Sequence, residues 1–115
     1  MRVLVVDDDR ATREGLSELL EEAGYESTSV GSFQDALRIL RTRPPDLLIT
    51  DVDLKDADGL QLLVYTPTRV PTIVLTGSYD LMLESEVRRE GAVYMVKPVS
   101  PDKLLDQVKS MLSGA

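Results

Sequence analysis

The 115 residues predict an α/β fold, a doubly wound (βα)5 arrangement in which helices cover both faces of a five-stranded parallel sheet. Short apolar runs alternate five times with amphipathic stretches, which is the pattern of repeated strand–helix units. The strands are nearly solid apolar runs, as expected for a sheet that is covered on both sides. Neither a linker nor a repeat interrupts the alternation, so we expect residues 1–115 to form a single domain.

The first unit has clear boundaries. Residues 3–6 are predicted to form a buried strand that stops at the three aspartates of residues 7–9. A helix is predicted from about residue 10 to residue 23, and Gly24 ends it. The apolar face of this helix consists of Leu16, Leu19, Leu20 and Ala23.

The second unit begins with an alternating segment rich in Ser and Thr, residues 25–30, which predicts a strand with one wetter face. Ser32 can cap a helix over residues 33–42, and Pro44 with Pro45 blocks its extension. The apolar stripe of this helix consists of Phe33, Ala36, Leu37 and Leu40.

The last three units follow the same alternation. Apolar runs predict strands over residues 47–49, 72–75 and 93–96. Amphipathic patterns predict helices over residues 59–65, about 79–90 and 101–112. Pro67 ends the first of these helices and Gly91 ends the second, whereas Ser100 and Pro101 open the last. Residues 113–115 are expected to be a frayed end or a cut toward a missing domain.

The composition restricts the available chemistry. The chain has no cysteine and no histidine, which excludes disulfides, thiolate nucleophiles, imidazole zinc sites and a phosphorylated histidine of its own. Twenty acidic residues against 13 basic ones give a net charge of −7, so nucleic acid is not an expected partner. No apolar run approaches the ~20 residues of a membrane span, and the N-terminal run is too short for a signal peptide. These features favour a cytoplasmic location without a membrane partner.

Polar side chains follow four of the predicted strands at the point where each strand ends. They are Asp7, Asp8 and Asp9 after the first strand, Asp51 after the third, Thr76 after the fourth and Lys97 after the fifth. Ligands of open parallel sheets bind at this edge. Clustered carboxylates repel one another, and Mg²⁺ suits an oxygen-only site that also contacts a phosphate. Because a carboxylate can itself be the nucleophile, the residues for phosphoryl transfer are present: an acceptor, metal ligands and charge stabilisers.

With these residues in place, the chain resembles the receiver domain of two-component response regulators over its whole length. The resemblance rests on Val5-Val6-Asp7-Asp8-Asp9, Thr50-Asp51 with Asp58-Gly59, Leu75-Thr76-Gly77, Gly91-Ala92 and Tyr94-Met95-Val96-Lys97-Pro98. Each motif is weak alone, but together, in order and at strand ends, they are highly specific. The resemblance implies a flavodoxin-like fold with strand order 2-1-3-4-5.

The resemblance also implies how the acceptor and the metal are arranged. Asp51 would be the phosphorylated residue. Asp7, Asp8 and Asp51 would organise Mg²⁺ together with the backbone carbonyl of Asp53. Acceptance of a phosphoryl group on Asp51 would then depend on Mg²⁺, and the phosphodonor would be a sensor histidine kinase or a histidine phosphotransfer protein.

A conformational switch is a further implication of the resemblance. Thr76 and Lys97 would bind phosphoryl oxygens, Tyr94 would be the aromatic switch partner of Thr76, and the bond between Lys97 and Pro98 would have the cis geometry of the family. The switch would control an output domain or protein, with a possible homodimer through the fourth helix, fifth strand and fifth helix. Such a domain assists its own phosphorylation and dephosphorylation without turning over a substrate, so we do not expect an enzyme.

The chain departs from the family pattern outside the central site. Leu54-Lys55 stands where Met-Pro is frequent, Pro67 shortens the third helical region, and Val99 stands where an aromatic residue is common. These departures concern surfaces and partner choice. Simpler roles are expected for Asp9 as a helix cap and for Asp56 and Asp58 as loop or cap carboxylates.

Other interpretations of the same residues stay open. Tyr94 could be a core residue, Thr76 a plain strand exit and Lys97 a surface lysine. Asp51-Val52-Asp53 could begin a calcium loop, although Lys55 and Asp56 stand where that loop needs a ligand and a glycine. The same Asp-x-Asp resembles the nucleophile motif of haloacid-dehalogenase-type phosphatases, which carry it on their first strand. For the whole chain, the alternatives are a small phosphohydrolase and an interaction module that is never phosphorylated.

Overall fold

Five parallel strands form a single sheet in a computed structural model that describes residues 1–113. The strands are β1 Arg2–Val6, β2 Glu26–Val30, β3 Leu47–Asp51, β4 Thr72–Thr76 and β5 Val93–Val96. Their order across the sheet is β2-β1-β3-β4-β5, and all neighbouring strands are parallel. The predicted α/β flavodoxin-like fold and its strand order are therefore confirmed. Of the frayed end predicted for residues 113–115, Ser113 is the last residue of a helix, and residues 114–115 lie outside the described part of the chain.

A helix follows each strand. The helices are α1 Arg10–Glu22, α2 Phe33–Thr42, α3 Leu62–Tyr65, α4 Leu81–Arg89 and α5 Pro101–Ser113. A 3₁₀ turn, Gly59–Gln61, precedes α3, so the third helical segment has the predicted bounds but contains only one α-helical turn. Among the helices within residues 1–113, none is both long enough and apolar enough to cross a membrane.

Side chains at the helix starts set three of the boundaries. Asp9 accepts a hydrogen bond from the amide of Thr12 at 3.0 Å, which confirms its predicted role as the cap of α1. Ser32 caps α2 as predicted. The start of α4 was predicted near residue 79 and lies at Leu81, because the carboxylate of Asp80 accepts hydrogen bonds from the amides two and three residues ahead and so occupies the cap position.

The sheet has a hydrophobic core on each face, which explains why its central strands are almost continuously apolar. On one face, residues of β1 and β3 pack against α2 and α3, and the whole predicted stripe of α2 is buried there. On the other face, alternate residues of the same strands pack against α1 and α5. Full burial of one Leu or Val side chain stabilises the fold by about 1.5–3 kcal/mol. Ala23 was expected in this core but is exposed, because it is the C-cap of α1 rather than part of its buried face.

The edge strand β2 differs from the other strands. Its side chains alternate between exposed and partly buried, as its Ser- and Thr-rich sequence predicts. It begins at Glu26 rather than at Tyr25, because the amide of Tyr25 donates to the carbonyl of Leu20 and so belongs to the turn that ends α1. The central strands β1, β3 and β4 therefore form the buried framework whose carboxyl ends carry the polar residues.

Candidate functional site

Three carboxylates lie together at the carboxyl edge of the sheet. One oxygen each of Asp7, Asp8 and Asp51 lies within 4.8 Å of the other two. The strand register explains this proximity: Val6 of β1 is paired with Thr50 of β3, so the aspartate that follows each of them leaves the sheet at the same level. The side chains of Asp7 and Asp51 are buried, at 1 % and 6 % residue exposure, and Asp8 is half-buried.

Lys97 reaches this cluster from the fifth strand. Its ammonium nitrogen Nζ lies 2.7 Å from Oδ2 of Asp7 and 3.1 Å from Oδ2 of Asp51. The backbone amide of Lys97 donates to the carbonyl of Thr76 at 2.8 Å, which extends the sheet pairing to this residue. The peptide bond between Lys97 and Pro98 is cis, as the resemblance implied.

Burial and charge act against each other in this cluster. Burial disfavours the charged form of Lys97, but its hydrogen bonds to Asp7 and Asp51 outweigh that effect, so the pKa of its ammonium is raised. Burial also raises the pKa of Asp51, and the hydrogen bond from Lys97 opposes this shift only in part. With three ionised carboxylates and one ammonium, the cluster has two excess negative charges.

The residues present fit a hard divalent cation. The three possible ligands are all carboxylate oxygens, and Lys97 neutralises only one of their three formal charges. The carboxylate of Asp7 is also oriented by a hydrogen bond from the amide of Asp9 at 2.9 Å. Asp53 does not bring its side chain to this cluster: the residue is exposed, and its amide donates to Oδ1 of Asp51 at 3.3 Å. The backbone of Asp53 forms an isolated bridge with Asp58. A contact between its carbonyl oxygen and a metal ion stays a prediction.

Gly59 explains the Asp58-Gly59 motif. A Cβ atom at this position would overlap the backbone carbonyl oxygen of Asp51, so only glycine lets the two segments approach this closely. The amide of Gly59 donates to the carbonyl of Val52 at 2.7 Å, and the hydroxyl of Thr50 donates to the carbonyl of Asp51 at 3.0 Å. The chain after β3 therefore folds back tightly onto the end of the strand that carries Asp51.

Thr76 and Tyr94 contact the same loop. The hydroxyl of Thr76 donates to the carbonyl of Ser78 at 3.2 Å. The hydroxyl of Tyr94 accepts from the amide of Asp80 at 2.9 Å and donates to that same Ser78 carbonyl at 3.5 Å. Thr76 is paired with Val96 in the sheet, two positions beyond Tyr94, so the two side chains are diagonal neighbours. Tyr94 is thus half-buried and bound to the loop after β4 rather than enclosed in the core.

An open cavity of about 620 Å³ borders the site. Val52, Asp53, Thr76 and Ser78 line it together with residues along the length of α4. The cavity gives solvent a route to the ends of β3 and β4.

The sequence did not predict a contact between Arg13 and the backbone of the acidic edge. On α1, the guanidinium of Arg13 donates to the carbonyl oxygens of Asp7 and Asp8 at 3.3 and 3.4 Å. The helical pattern places Arg13 on a polar face, but nothing in the sequence indicates that this face turns toward the end of β1. The contact supports the backbone, since it does not involve the carboxylates.

Asp56 has a partner far away in the sequence. Its carboxylate accepts hydrogen bonds from the amides of Phe33 at 2.9 Å and Gln34 at 3.2 Å. The expectation of a cap carboxylate is therefore confirmed, but the helix it caps is α2. Asp58 caps the adjacent 3₁₀ turn through the amide of Leu60 at 2.9 Å, as expected of a local cap.

The chain is similar to receiver domains over almost its whole length. The family model of the response regulator receiver domain matches residues 3–109. The response regulator protein FleR of Pseudomonas aeruginosa is 40% identical over 112 residues, which are 93% of this chain and 24% of FleR. The polar-differentiation response regulator DivK of Brucella ovis is 28% identical over 119 residues, which are 98% of this chain and 97% of DivK.

Solved structures agree with these relatives. The crystal structure of a CheY-like response regulator receiver domain protein from Methanospirillum hungatei superimposes with a TM-score of 0.91 at 30% identity, covering 98% of this chain and 94% of that one. The family match, the shared strand order and the acidic edge of the sheet point to one conclusion. The chain belongs to the response regulator receiver domains, which act in phosphorelay signalling by two-component systems.

Proposed function

We propose that this receiver domain, residues 1–115, accepts a phosphoryl group on Asp51 from a histidine kinase or a histidine phosphotransfer protein in a Mg²⁺-dependent reaction. The observation that carries the proposal is the position of Asp51: a buried carboxylate at the end of a central strand, 3.1 Å from an ammonium and within 4.8 Å of two further carboxylates. Acceptance of the group then switches the domain between two conformations and so controls an output partner or domain.

The proposed reaction is a transfer between a nitrogen and an oxygen. A carboxylate oxygen of Asp51 forms a bond to phosphorus while the bond from phosphorus to the donor's imidazole nitrogen breaks, and the imidazole leaves with that electron pair. Bound at Asp7, Asp8, Asp51 and the carbonyl of Asp53, Mg²⁺ would supply positive charge toward the phosphoryl oxygens. The ammonium of Lys97 stabilises the same negative charge from the other side.

The hydroxyl of Thr76 completes the proposed site. It lies at the end of β4 and needs only to leave the Ser78 carbonyl in order to donate to a phosphoryl oxygen. The domain assists its own phosphorylation and dephosphorylation but has no substrate to turn over, so it is a signalling module rather than an enzyme. We also propose that it acts in the cytoplasm, where phosphodonor proteins and Mg²⁺ are both available to it.

Intact mass spectrometry after incubation with acetyl phosphate tests the proposal. We expect one phosphoryl group on the wild-type chain with Mg²⁺ and none without it. Asp51→Asn should abolish the addition, whereas the matched variant Asp53→Asn, which changes an exposed carboxylate two residues away, should still be labelled. Undiminished labelling of Asp51→Asn would contradict the assignment. A wild-type chain that is never labelled would favour an interaction module that works without phosphorylation.

A further inference from the structure

The loop between β3 and the 3₁₀ turn, residues 52–58, is attached to the fold at two places. At its base, the amide of Gly59 donates to Val52, and Asp53 forms a backbone bridge with Asp58. At its tip, the carboxylate of Asp56 accepts hydrogen bonds from two backbone amides of α2, more than 20 residues earlier in the chain. The loop is thus fixed to a second element and not only to its own strand.

The attachment at the tip consists of two hydrogen bonds to the exposed carboxylate of Asp56. Both oxygens of Asp56 are used, one for the amide of Phe33 and one for that of Gln34, and a carboxylate at a helix N-terminus is stabilised by the helix dipole as well. The hydrogen bond from Phe33 is the main reason why the pKa of Asp56 is lowered. These two amides lie in the first turn of α2, where they have no partner within the helix.

The rest of the loop packs against the core that lies beneath α2. Leu54 and Ala57 pack into the same hydrophobic core as Phe33, on either side of the exposed pair Lys55 and Asp56. The loop contains no proline that would fix its backbone. The loop near Asp53 is therefore held at its base by the bridge to Asp58 and at its tip by the hydrogen bonds of Asp56.

We infer that Asp56 is a positioning residue of the phosphoacceptor site, which holds the loop that carries Asp53 against the end of β3 by binding the first turn of α2. The inference rests on the proposed function, since Asp53 lies in the proposed cation site. Coupling between two sites is reciprocal: cation binding that orders the loop also orders the first turn of α2, and loss of the attachment weakens cation binding.

Two control variants separate this role from simpler effects. Ser32→Ala removes the other cap of α2, whose hydroxyl accepts from the amide of Asp35 at 3.1 Å, and leaves the loop contact in place. Asp35→Asn removes one negative charge from the same first turn without touching the loop. Asp56→Ala removes both hydrogen bonds, and Asp56→Asn is the conservative change that keeps one carbonyl acceptor.

The first measurement is amide hydrogen exchange in the absence of any metal. In Asp56→Ala, the amides of Asp53 and Gly59 should exchange about tenfold faster than in the wild type, since the loop then opens more often. In Ser32→Ala, only the first turn of α2 should exchange faster. In Asp56→Asn, the exchange rates of the same two amides should lie between those of Asp56→Ala and the wild type. This variant decides the question if Asp56→Ala does not fold. Equal loop exchange in all four variants and the wild type would overturn the inference.

The second measurement is the affinity for Mg²⁺ alone, followed by NMR titration of the amides beside Asp7 and Asp51. Asp56→Ala should weaken binding about fivefold, a coupling at the lower end of the usual range, whereas Ser32→Ala and Asp35→Asn should stay within about twofold. An equal loss of Mg²⁺ affinity in Asp35→Asn would show that the effect comes from the negative charge, and this would overturn the inference. A wild-type chain that binds no Mg²⁺ would contradict the proposed function, while the metal-free exchange still decides the role of Asp56.

Discussion

Lys97 is the residue on which the charge balance of the acidic edge depends. Its ammonium contacts the carboxylates of Asp7, just after β1, and of Asp51, at the end of β3, at 2.7 and 3.1 Å, although these two residues lie 90 and 46 positions earlier in the chain. It is partly buried, so its interactions are only partly screened by water. Without it, Asp7 and Asp51 would face each other with no counter-charge from this side.

The stability of the chain should depend on the charge of Lys97 in alkaline solution. Because the pKa of Lys97 is raised by folding, its contribution is fully present below the unfolded pKa of a lysine and is lost as the pH rises through the folded one. Lys97→Met should lower the free energy of unfolding by about 2 kcal/mol at neutral pH, a value reduced from that of a fully buried pair because the ammonium is partly solvated. The gap between variant and wild type should then shrink above the ordinary pKa of lysine.

Urea denaturation at a series of pH values between neutral and strongly alkaline measures this gap. Lys55→Met, which removes an exposed lysine, is the control and should follow the wild type at every pH. A gap for Lys97→Met that stays constant across the series would show that the side chain contributes by packing rather than by charge.

Individual residues differ in how far the sequence reveals their position. Asp7, Asp51 and Lys97 are predictable as neighbours, because Asp7 and Lys97 directly follow strands, Asp51 ends one, and parallel strands end at one edge of a sheet. The contacts of Asp56 are not predictable in this way, because its partners are 22 and 23 residues away. A carboxylate in a loop has the same local sequence whether it faces water or caps a distant helix.

At the scale of elements, the chain can fold back tightly after β3 because residue 59 is glycine. Gly59→Ala should destabilise the fold by about 1–3 kcal/mol, because the added methyl group overlaps the carbonyl of Asp51 and the loop must move away from the strand end. Chemical denaturation followed by far-UV circular dichroism measures the change. The matched control is Gly15→Ala in the middle of α1, where the methyl group meets no atom within 4 Å and should stabilise the helix by up to about 1 kcal/mol. Equal effects of the two substitutions would refute the steric argument.

The start of a helix was predictable where the sequence offers only one candidate capping residue. Ser32 is the only Ser, Thr, Asn or Asp within residues 30–33 of the sequence, and α2 begins where predicted. Before α4, Ser78 and Asp80 are both possible caps, and the cap is Asp80, whose amide also donates to the hydroxyl of Tyr94. Since that contact joins β5 to the loop after β4, no local pattern contains it.

At the scale of the whole molecule, the sheet connects the acidic edge to the surface of α4, β5 and α5. The loop after β4 is the point of connection: the carbonyl of Ser78 accepts from Thr76 on the side of the site and from Tyr94 on the side of that surface. Tyr94 also binds the amide of Asp80, the residue that caps α4. A movement of Thr76 toward a phosphoryl oxygen would remove one of the two donors to the Ser78 carbonyl, in the loop that Tyr94 also binds.

The surface that this movement reaches has the character of a contact face. Leu81 and Met82 at the start of α4 are exposed, Met82 at 81 %, and the ring of Tyr79 packs edge-on against Tyr94 with ring centres 6.0 Å apart. We propose this face, α4 with β5 and α5, as the contact for an output partner or a second copy of the domain. Large apolar side chains in solvent are typical of such contacts.

Thr76→Ala tests whether the site and this face are coupled as proposed. The variant should still accept a phosphoryl group on Asp51, because the acceptor and Lys97 are unchanged. It should fail to shift the amide NMR signals of residues 79–112 on phosphorylation, since the hydroxyl that would leave Ser78 for the phosphoryl oxygen is absent. A charged hydrogen bond of roughly 1.5–3 kcal/mol is enough to move a two-state equilibrium by tenfold or more, so its loss should be visible in the spectra.

Thr72→Ala is the matched control, because it removes a buried hydroxyl at the opposite end of the same strand, where the side chain donates to the carbonyl of Val70. It should keep the wild-type shifts of α4, β5 and α5 when phosphorylated. Identical shifts in Thr76→Ala and the wild type would mean that the phosphoryl group reaches this face without Thr76. In that case the loop of residues 52–58, which also contacts the end of β3, would be the next route to test by the same NMR comparison.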